Sequence, residues 1–304
     1  MVSTIYWLLA AVSAYLFFGL ASLCDKLVLS GKPKPKSYTF YVGLLGLFVI
    51  FLIPFAEFAI PGPLGFLWII LDALVHVAGL YATYVAIRDF DVSRVIAIIG
   101  ATQPVFIFML TWIFWGPQAM PLYDLFAFLL LLFGSIVISI EKNIKITGKH
   151  LKITLLSSLM FSLDYIFAKL VFSDQTFLSG VIWIGIFIFL AASLLLFQKS
   201  AREEIFDKKI VLEKKTQTLF VSAQVLGGAG NFLQSFAISL APVFFLATIN
   251  SLRGIQYVFL FLTTLFFSVF YPKILKEEIS ARIIIQKIVS IILIAVGLAV
   301  LVIY

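Results

Sequence analysis

Ten apolar runs, separated by short polar or charged connections, make up almost the whole chain. A helix needs roughly 20 consecutive apolar residues to cross the hydrocarbon core of a bilayer. The runs cover residues 3–24, 38–58, 64–87, 92–115, 122–140, 151–172, 177–197, 216–240, 243–271 and 282–303. The sequence therefore predicts an all-α polytopic membrane protein with ten transmembrane helices and no inserted soluble domain.

The composition excludes several other classes of protein. Charged residues make up 12% of the chain, about half of the roughly 25% found in soluble domains. The net charge of +7 comes from basic residues in the short connections, where they indicate topology and attraction to anionic lipid headgroups, so we expect no nucleic-acid partner. Cys24 is the single cysteine and leaves no pair for an intrachain disulfide.

The two halves of the chain resemble each other. Residues 15–30 (YLFFGLASLCDKLVLS) align with residues 158–173 (SLMFSLDYIFAKLVFS), and Gly134 matches Gly297 in the last run of each half. Each half then holds five runs, and because five is odd the second copy must be inverted in the membrane. Inverted repeats are typical of secondary transporters. We expect two inverted five-helix repeats within one membrane domain, residues 1–142 and 149–304.

The basic residues predict the orientation. Of the 22 Lys and Arg residues, 20 lie in the odd-numbered connections, and only Lys169 and Arg253 lie elsewhere. Because basic connections stay in the cytoplasm, we expect both termini on the extracytoplasmic side of the plasma (cell inner) membrane. The seventh connection, with residues 199–217, mixes both charge signs with apolar residues. It fits either a short interfacial helix or a solvated loop.

Polar side chains recur in register inside several runs. A charge at the bilayer centre costs at least ~2.5 kcal/mol on insertion scales, so it usually faces a cavity or a partner. The candidate substrate-binding residues are Arg253, Asn250, Tyr257, Asn231, Gln234, Tyr84 and Gln103. The candidates for proton coupling or a charge pair are Asp72, His76 and Asp164.

Each candidate also has a structural interpretation. Arg253 could be neutralised permanently by Asp164 or Asp72, since intramembrane charges often pair. The amides could only hold neighbouring helices together. His76 could be a packed neutral histidine instead of a proton carrier.

The two halves also share helix-weakening positions. With the offset that aligns Ala86-Ile87 with Ala237-Ile238, Gln103-Pro104 falls on Gly254-Ile255. We therefore expect helix breaks at Pro104 and Gly254. Equivalent interruptions in both halves indicate the binding site of a transporter.

These features resemble the drug/metabolite transporter superfamily, specifically its ten-helix EamA-type members, over nearly the whole chain. The resemblance rests on Lys26 and Lys169 at the end of the first run of each half, on Pro104, and on Glu277 and Glu278 before the last run. It implies that runs one, three, four, six, eight and nine surround a central cavity. Relatives in this superfamily commonly have cytoplasmic termini, opposite to the orientation that the charges predict.

The sequence thus predicts a secondary transporter for a small organic metabolite, such as an amino acid or a similar zwitterion. Arg253 would bind a carboxylate, which matches the donor geometry of a guanidinium, and Asp72 or Asp164 would meet a cationic group or bind a coupling proton. A lipid-headgroup flippase is the alternative, and a membrane-embedded enzyme a weaker one, since no H-E-x-x-H or G-x-S-x-G motif occurs. We expect no cofactor, no metal, and a monomer or homodimer among membrane lipids.

Overall fold

The computed structural model describes residues 2–28, 34–89, 92–116, 120–139, 148–206, 214–270 and 281–303. Within these ranges the regular elements are α-helices and short 3-10 segments. The helices are α1 (Val2–Val28), α2 (Pro35–Gly46), α3 (Pro63–Asp89), α4 (Val92–Trp115), α5 (Leu122–Ser139), α6 (Gly148–Asp174), α7 (Phe177–Ser193), α8 (Lys199–Ile205), α9 (Lys214–Leu240), α10 (Leu246–Ser251), α11 (Arg253–Phe270) and α12 (Ala281–Ile303). The 3-10 segments are Leu47–Phe55, Leu194–Phe197 and Val243–Phe245.

Nine helical segments of the described chain are long and apolar enough to cross a membrane. They are Ile5–Cys24, Pro35–Phe55, Pro63–Asp89, Val95–Trp115, Leu122–Ser139, His150–Asp174, Phe177–Phe197, Val243–Phe266 and Ile284–Ile303. The chain is therefore an all-α polytopic membrane protein. The predicted run 216–240 lies in α9, which is 27 residues long but is not among the nine. Its amides and glycines lower its hydropathy.

Local sequence explains several helix boundaries. α2 and α3 begin at Pro35 and Pro63, where a missing N–H costs no helical hydrogen bond. Pro54 prevents a regular α-helix before it, and the chain is 3-10 helical over Leu47–Phe55. α4 is followed by Gly116, whose φ of 74° is the left-handed conformation that favours glycine after a helix.

The helices pack as one bundle. The most extensive contacts join α1 to α9, α3 to α6, and α5 to α12, while α4 packs on α6, α11 on α1 and α2 on α7. At the α5–α12 interface, a Cβ on Gly134 would lie 2.7 Å from Cγ1 of Ile294, and one on Gly297 would lie 2.9 Å from Cγ of Leu131. Glycine on both helices therefore allows the close approach that is common between membrane helices.

The seventh connection contains a helix that docks on the start of α2. The Glu204 carboxylate on α8 accepts the backbone N–H groups of Lys36 at 2.8 Å and Ser37 at 3.0 Å, where the helix dipole favours a negative charge. Ala201 and Ile205 are buried with Phe40 of α2. Of the two interpretations of this connection, the structure shows a helix over Lys199–Ile205. Its position at a membrane interface stays a prediction, and residues 207–213 lie outside the described ranges.

The predicted helix breaks differ from the observed one. α4 continues through Pro104 from Val92 to Trp115. The ninth predicted run is interrupted at Leu252, between α10 and α11, two residues before Gly254. Gly254 instead lies at a packing contact, because a Cβ there would lie 2.5 Å from Oγ of Ser135 and 2.7 Å from Cδ1 of Ile294.

Candidate functional site around Arg253

The break at Leu252 is stabilised by hydroxyl groups of other helices. The Tyr15 hydroxyl of α1 donates to the Asn250 carbonyl at 3.3 Å, and Ser135 Oγ of α5 donates to the Ser251 carbonyl at 2.6 Å. Backbone groups at an interruption inside a membrane must find such partners within the protein or in cavity water. The first residue after the break, Arg253, begins α11.

Arg253 is bonded to a neutral side chain. Its Nη2 donates to Oε1 of Gln103 on α4 at 2.9 Å. Gln103 is 2% exposed, whereas Arg253 is partly exposed. The ionisable side chains around the guanidinium are Tyr15, Tyr165 and Tyr257. Among the described residues, no carboxylate forms a salt bridge with Arg253.

A network of tyrosine hydroxyls and amides surrounds this contact. Nε2 of Gln234 on α9 donates to the Tyr15 hydroxyl at 3.1 Å, and the Tyr15 and Tyr165 hydroxyls lie 3.4 Å apart. The Tyr257 hydroxyl donates to the Ile96 carbonyl at 3.4 Å. We call the following residues the Arg253 cluster: Tyr15, Gln103, Tyr165, Gln234, Asn250, Arg253 and Tyr257. They come from α1, α4, α6, α9, α10 and α11.

Asn250 is the polar residue of this cluster that lacks side-chain bonds. It is 0% exposed, and neither Nδ2 nor Oδ1 has a hydrogen-bond partner among the described residues. Leaving a buried amide unpaired costs about 1–3 kcal/mol. Asn250 precedes Arg253 by three residues, on the other side of the break at Leu252.

A second polar cluster lies between α3 and α6. Nδ1 of His76 lies 3.0 Å from Oδ1 of Asp164, and these side chains are 17% and 19% exposed. Asp72, one turn before His76, is 1% exposed, and its Oδ1 has no hydrogen-bond partner in the described part of the chain. Asp164 is the charged group that acts on Asp72. We call these three residues the Asp–His cluster.

Helix α6 connects the two clusters. Asp164 belongs to the Asp–His cluster, and the next residue, Tyr165, belongs to the Arg253 cluster. Ser162 on the same helix donates to the Gln103 carbonyl at 3.2 Å. Ser157 and Ser158 contact Thr83 of α3 and Thr102 of α4 through their hydroxyls, at 2.6 and 2.8 Å.

The structure brings together five of the predicted substrate-binding residues: Arg253, Asn250, Tyr257, Gln234 and Gln103. The other two lie elsewhere. Tyr84 packs against the ring of Tyr38 with centroids 5.4 Å apart, and Asn231 is exposed on α9, one turn before Gln234.

The candidate residues predicted from the sequence do not include Tyr15, Tyr165 or the α6 serines. Tyrosines in the middle of apolar runs were the available signal, because a buried tyrosine hydroxyl usually finds a hydrogen-bond partner. Small hydroxyl residues on one helix are likewise typical of interhelical contacts.

Lys169 has a structural position. Its Nζ donates to the carbonyls of Ile238 at 3.0 Å, Ser239 at 3.0 Å and Ala241 at 2.6 Å, at the end of α9. Basic side chains bond the last carbonyls of a helix and interact favourably with its dipole. One of the two basic residues outside the odd connections is therefore a helix cap.

An apolar cleft of about 290 Å³ lies outside both clusters, between the end of α4, the start of α5 and residues 244–247. Phe108 and Trp112 line it, together with Leu125 and Phe244. Trp112 is 62% exposed, so the cleft opens toward the lipid-facing surface of the bundle.

No protein-family model matches the chain, and no curated protein matches it. A solved crystal structure, described only as that of a protein, is similar to it with a TM-score of 0.68 and 14% sequence identity. The match covers 96% of this chain and 94% of that chain. At this identity the similarity shows the fold alone: nearly the whole helical arrangement also occurs in an experimentally determined structure.

Proposed function

We propose that the protein is a secondary transporter that binds a small organic metabolite at the Arg253 cluster. The observation that carries the proposal is a guanidinium in the middle of a span that is bonded to the neutral amide of Gln103 and, among the described residues, to no carboxylate. Such a charge is expensive in a bilayer unless it faces a cavity or a partner. A substrate carboxylate would supply two parallel charge-assisted hydrogen bonds.

The substrate class follows from the groups around Arg253. The guanidinium suits a planar carboxylate, and the Asn250 amide adds unused donors and an acceptor. The hydroxyls of Tyr15, Tyr165 and Tyr257 suit a polar body of small size. An amino acid or a similar zwitterion fits this set of groups.

The alternative of a permanent ion pair loses support from the geometry. Asp164 is the carboxylate that could have neutralised Arg253, but its Oδ1 lies beside His76. The charged group whose electrostatic effect reaches Asp72 is Asp164, and Asp72 forms no salt bridge with Arg253 among the described residues. The positive charge of Arg253 therefore stays available to a substrate.

We also propose ten spans arranged as two inverted five-helix repeats, as in EamA-type members of the drug/metabolite transporter superfamily, with α9 as the eighth span. The helix contacts support this arrangement. When each helix is replaced by its equivalent in the other half, the resulting pair of helices is also in contact. The α1–α9 contact corresponds to α6–α3, the α1–α11 contact to α6–α4, and α5–α12 and α2–α7 each join equivalent helices.

The two ends of the bundle are consistent with that scheme. Lys36 and Ser37, after the first span, meet Glu204 at one end of α2. Beyond the other end of this span, the Ala59 carbonyl accepts Nε1 of Trp183 on α7 at 2.8 Å. The charge distribution supports a plasma-membrane orientation with both termini extracytoplasmic.

One observation favours a lipid-headgroup flippase as the second candidate. The apolar cleft beside Phe108 and Trp112 has room for part of an acyl chain and opens toward lipid. In that case Arg253 would bind a phosphate instead of a carboxylate.

The decisive experiment is transport by the purified full-length chain in proteoliposomes. Labelled amino acids, monocarboxylates, nucleosides and fluorescent phospholipids should be tested in parallel. We expect uptake of a carboxylate-bearing solute, lost in Arg253→Leu. Movement of lipid with no solute uptake would favour the flippase, and movement of neither would contradict transport.

A further inference from the structure

The side chains of the Asp–His cluster form no hydrogen bond with Arg253 among the described residues. Asp72 and His76 are four residues apart and share one face of α3, and Asp164 approaches that face from α6. The His76 and Asp164 side chains are partly accessible, whereas Asp72 is fully buried. An accessible pair thus lies beside a buried carboxyl group.

The buried carboxyl group of Asp72 gives separate evidence that this cluster binds a ligand. Oδ1 of Asp72 has no hydrogen-bond partner within the described chain, at 1% exposure. An ionised carboxylate there would be desolvated and close to the negative charge of Asp164. A bound proton would remove this negative charge from the buried position.

Nearby cations do not neutralise this cluster. Lys169 is bonded to carbonyls of α9, and Arg253 to Gln103. The helices that pack on α3 bring few other titratable groups. α7 has none between Phe177 and Ser193. α6 adds Tyr165, Asp174 beside Gly65 at the start of α3, and His150 and Lys152 near its own start. The other titratable residues of these helices are Tyr81, Tyr84, Arg88 and Asp89 on α3, Lys36, Tyr38 and Tyr41 on α2, and Arg94 on α4.

The ligand is a proton instead of a metal ion. Among the described residues, no group of three or more His, Cys, Asp or Glu is placed to hold a metal. Imidazole is the side chain that changes its charge near neutral pH, and it contacts Asp164 directly.

The connection to the substrate site runs through α6. Tyr165 follows Asp164 in the chain and reaches the Tyr15 hydroxyl, while Ser162 bonds the carbonyl of Gln103. A change of charge at Asp164 acts on the same helix that contacts both partners of the substrate site. This shared element allows proton binding and substrate binding to bias one conformational equilibrium.

We infer that H⁺ is the coupling ion of this transporter and that Asp72, His76 and Asp164 bind it at a site separate from the substrate. The inference rests on the proposed function. The proton enters at the accessible His76–Asp164 pair. A proton bound there changes the charge at the contact between His76 and Asp164. The contact between α3 and α6 therefore differs between the states with and without the proton.

The test separates coupling from transport in proteoliposomes of the full chain, with a labelled amino-acid mixture as the probe. Exchange at equal pH measures transport alone, and accumulation driven by an imposed pH gradient measures coupling. His76→Gln and Asp164→Asn should lower the ratio of gradient-driven accumulation to exchange about tenfold. Arg253→Leu should abolish both.

Several results would overturn the inference while transport stands. These are wild-type exchange that a pH gradient does not drive, a sodium gradient that replaces it, or equal loss of exchange in Asp164→Asn. If wild type exchanges no amino acid, the proposed function fails with this probe, and infrared spectroscopy decides the proton site alone. A carboxyl band that titrates in wild type and is lost in Asp72→Asn or Asp164→Asn supports the site; its absence refutes it.

Discussion

Nη2 of Arg253 donates to Oε1 of Gln103 at 2.9 Å, which joins the start of α11 to the middle of α4. The internal sequence offset aligns Gln103 with Gly254, so the two bonded residues come from almost equivalent positions of the two halves. In the arrangement of two inverted repeats that we propose, this contact lies where the repeats meet, which is where transporters of that architecture bind substrates.

Arg253→Leu should preserve membrane insertion and abolish uptake, because it removes the charge that a carboxylate would bind. Arg253→Lys should retain weak uptake, since an ammonium keeps the charge but loses the paired donors. Initial rates of uptake in proteoliposomes check this. Arg88→Leu is the matched control, because Arg88 is an exposed arginine bonded to Asp89 at 2.8 Å, and uptake should stay near wild type.

The contact with Gln103 also allows a test of a purely structural role. If Arg253 only holds α4 and α11 together, the double variant Arg253→Leu with Gln103→Leu should recover normal uptake through an apolar contact. We expect stability to recover and uptake to stay absent. Recovery of uptake would contradict a substrate-binding role for Arg253.

Asn250→Leu should separate stability from activity. Replacing an unpaired buried amide by an apolar side chain should raise the free energy of unfolding by about 1 kcal/mol. Uptake should fall, because the amide belongs to the substrate site that we propose. Thermal unfolding in detergent and uptake measure the two effects, and a stable variant with normal uptake would exclude Asn250 from the site.

Lys169→Met should destabilise the bundle without acting on substrate. It removes three hydrogen bonds to the end of α9, and loss of hydrogen bonds to a charged group costs about 2 kcal/mol. A lower unfolding temperature in detergent checks this. Lys152→Met, at an exposed position of the same helix, should unfold like wild type, and equal effects would contradict the capping role.

Gly254→Ala should disrupt the contact of α11 with α5 and α12. A new Cβ would lie 2.5 Å from Oγ of Ser135, and such overpacking costs about 1–3 kcal/mol. Gly228→Ala on α9 is the control, because a Cβ there has no heavy atom within 4 Å among its surroundings. The unfolding temperature should fall only in the first variant, and an unchanged value would mean that α11 shifts easily.

A cytoplasm-active reporter fused after Tyr304 should be silent, and a periplasm-active or extracytoplasmic one should give signal. The reason is the confinement of 20 of the 22 basic residues to the odd connections. Cytoplasmic activity would reverse the orientation and favour the one common in the drug/metabolite transporter superfamily.

The sequence by itself determined the class of protein and the polar positions. Apolar runs of spanning length leave helices as the available structure in lipid, and polar side chains at mid-span stand out against them. The mixture of charges with Ile205 and Phe206 in residues 199–217 also fitted a short helix, with a solvated loop as the alternative. These features are local, so they can be read without knowing which helices touch.

The tertiary structure decided the partners. Arg253 had Asp72, Asp164 and the amides within possible reach, and only the packing of α3 against α6 brought Asp164 to His76 and left Arg253 with Gln103. The break likewise falls at Leu252, because Tyr15 and Ser135 from distant spans satisfy the carbonyls before it. A helix presents several faces, and periodicity defines which residues share a face without defining which helix meets it.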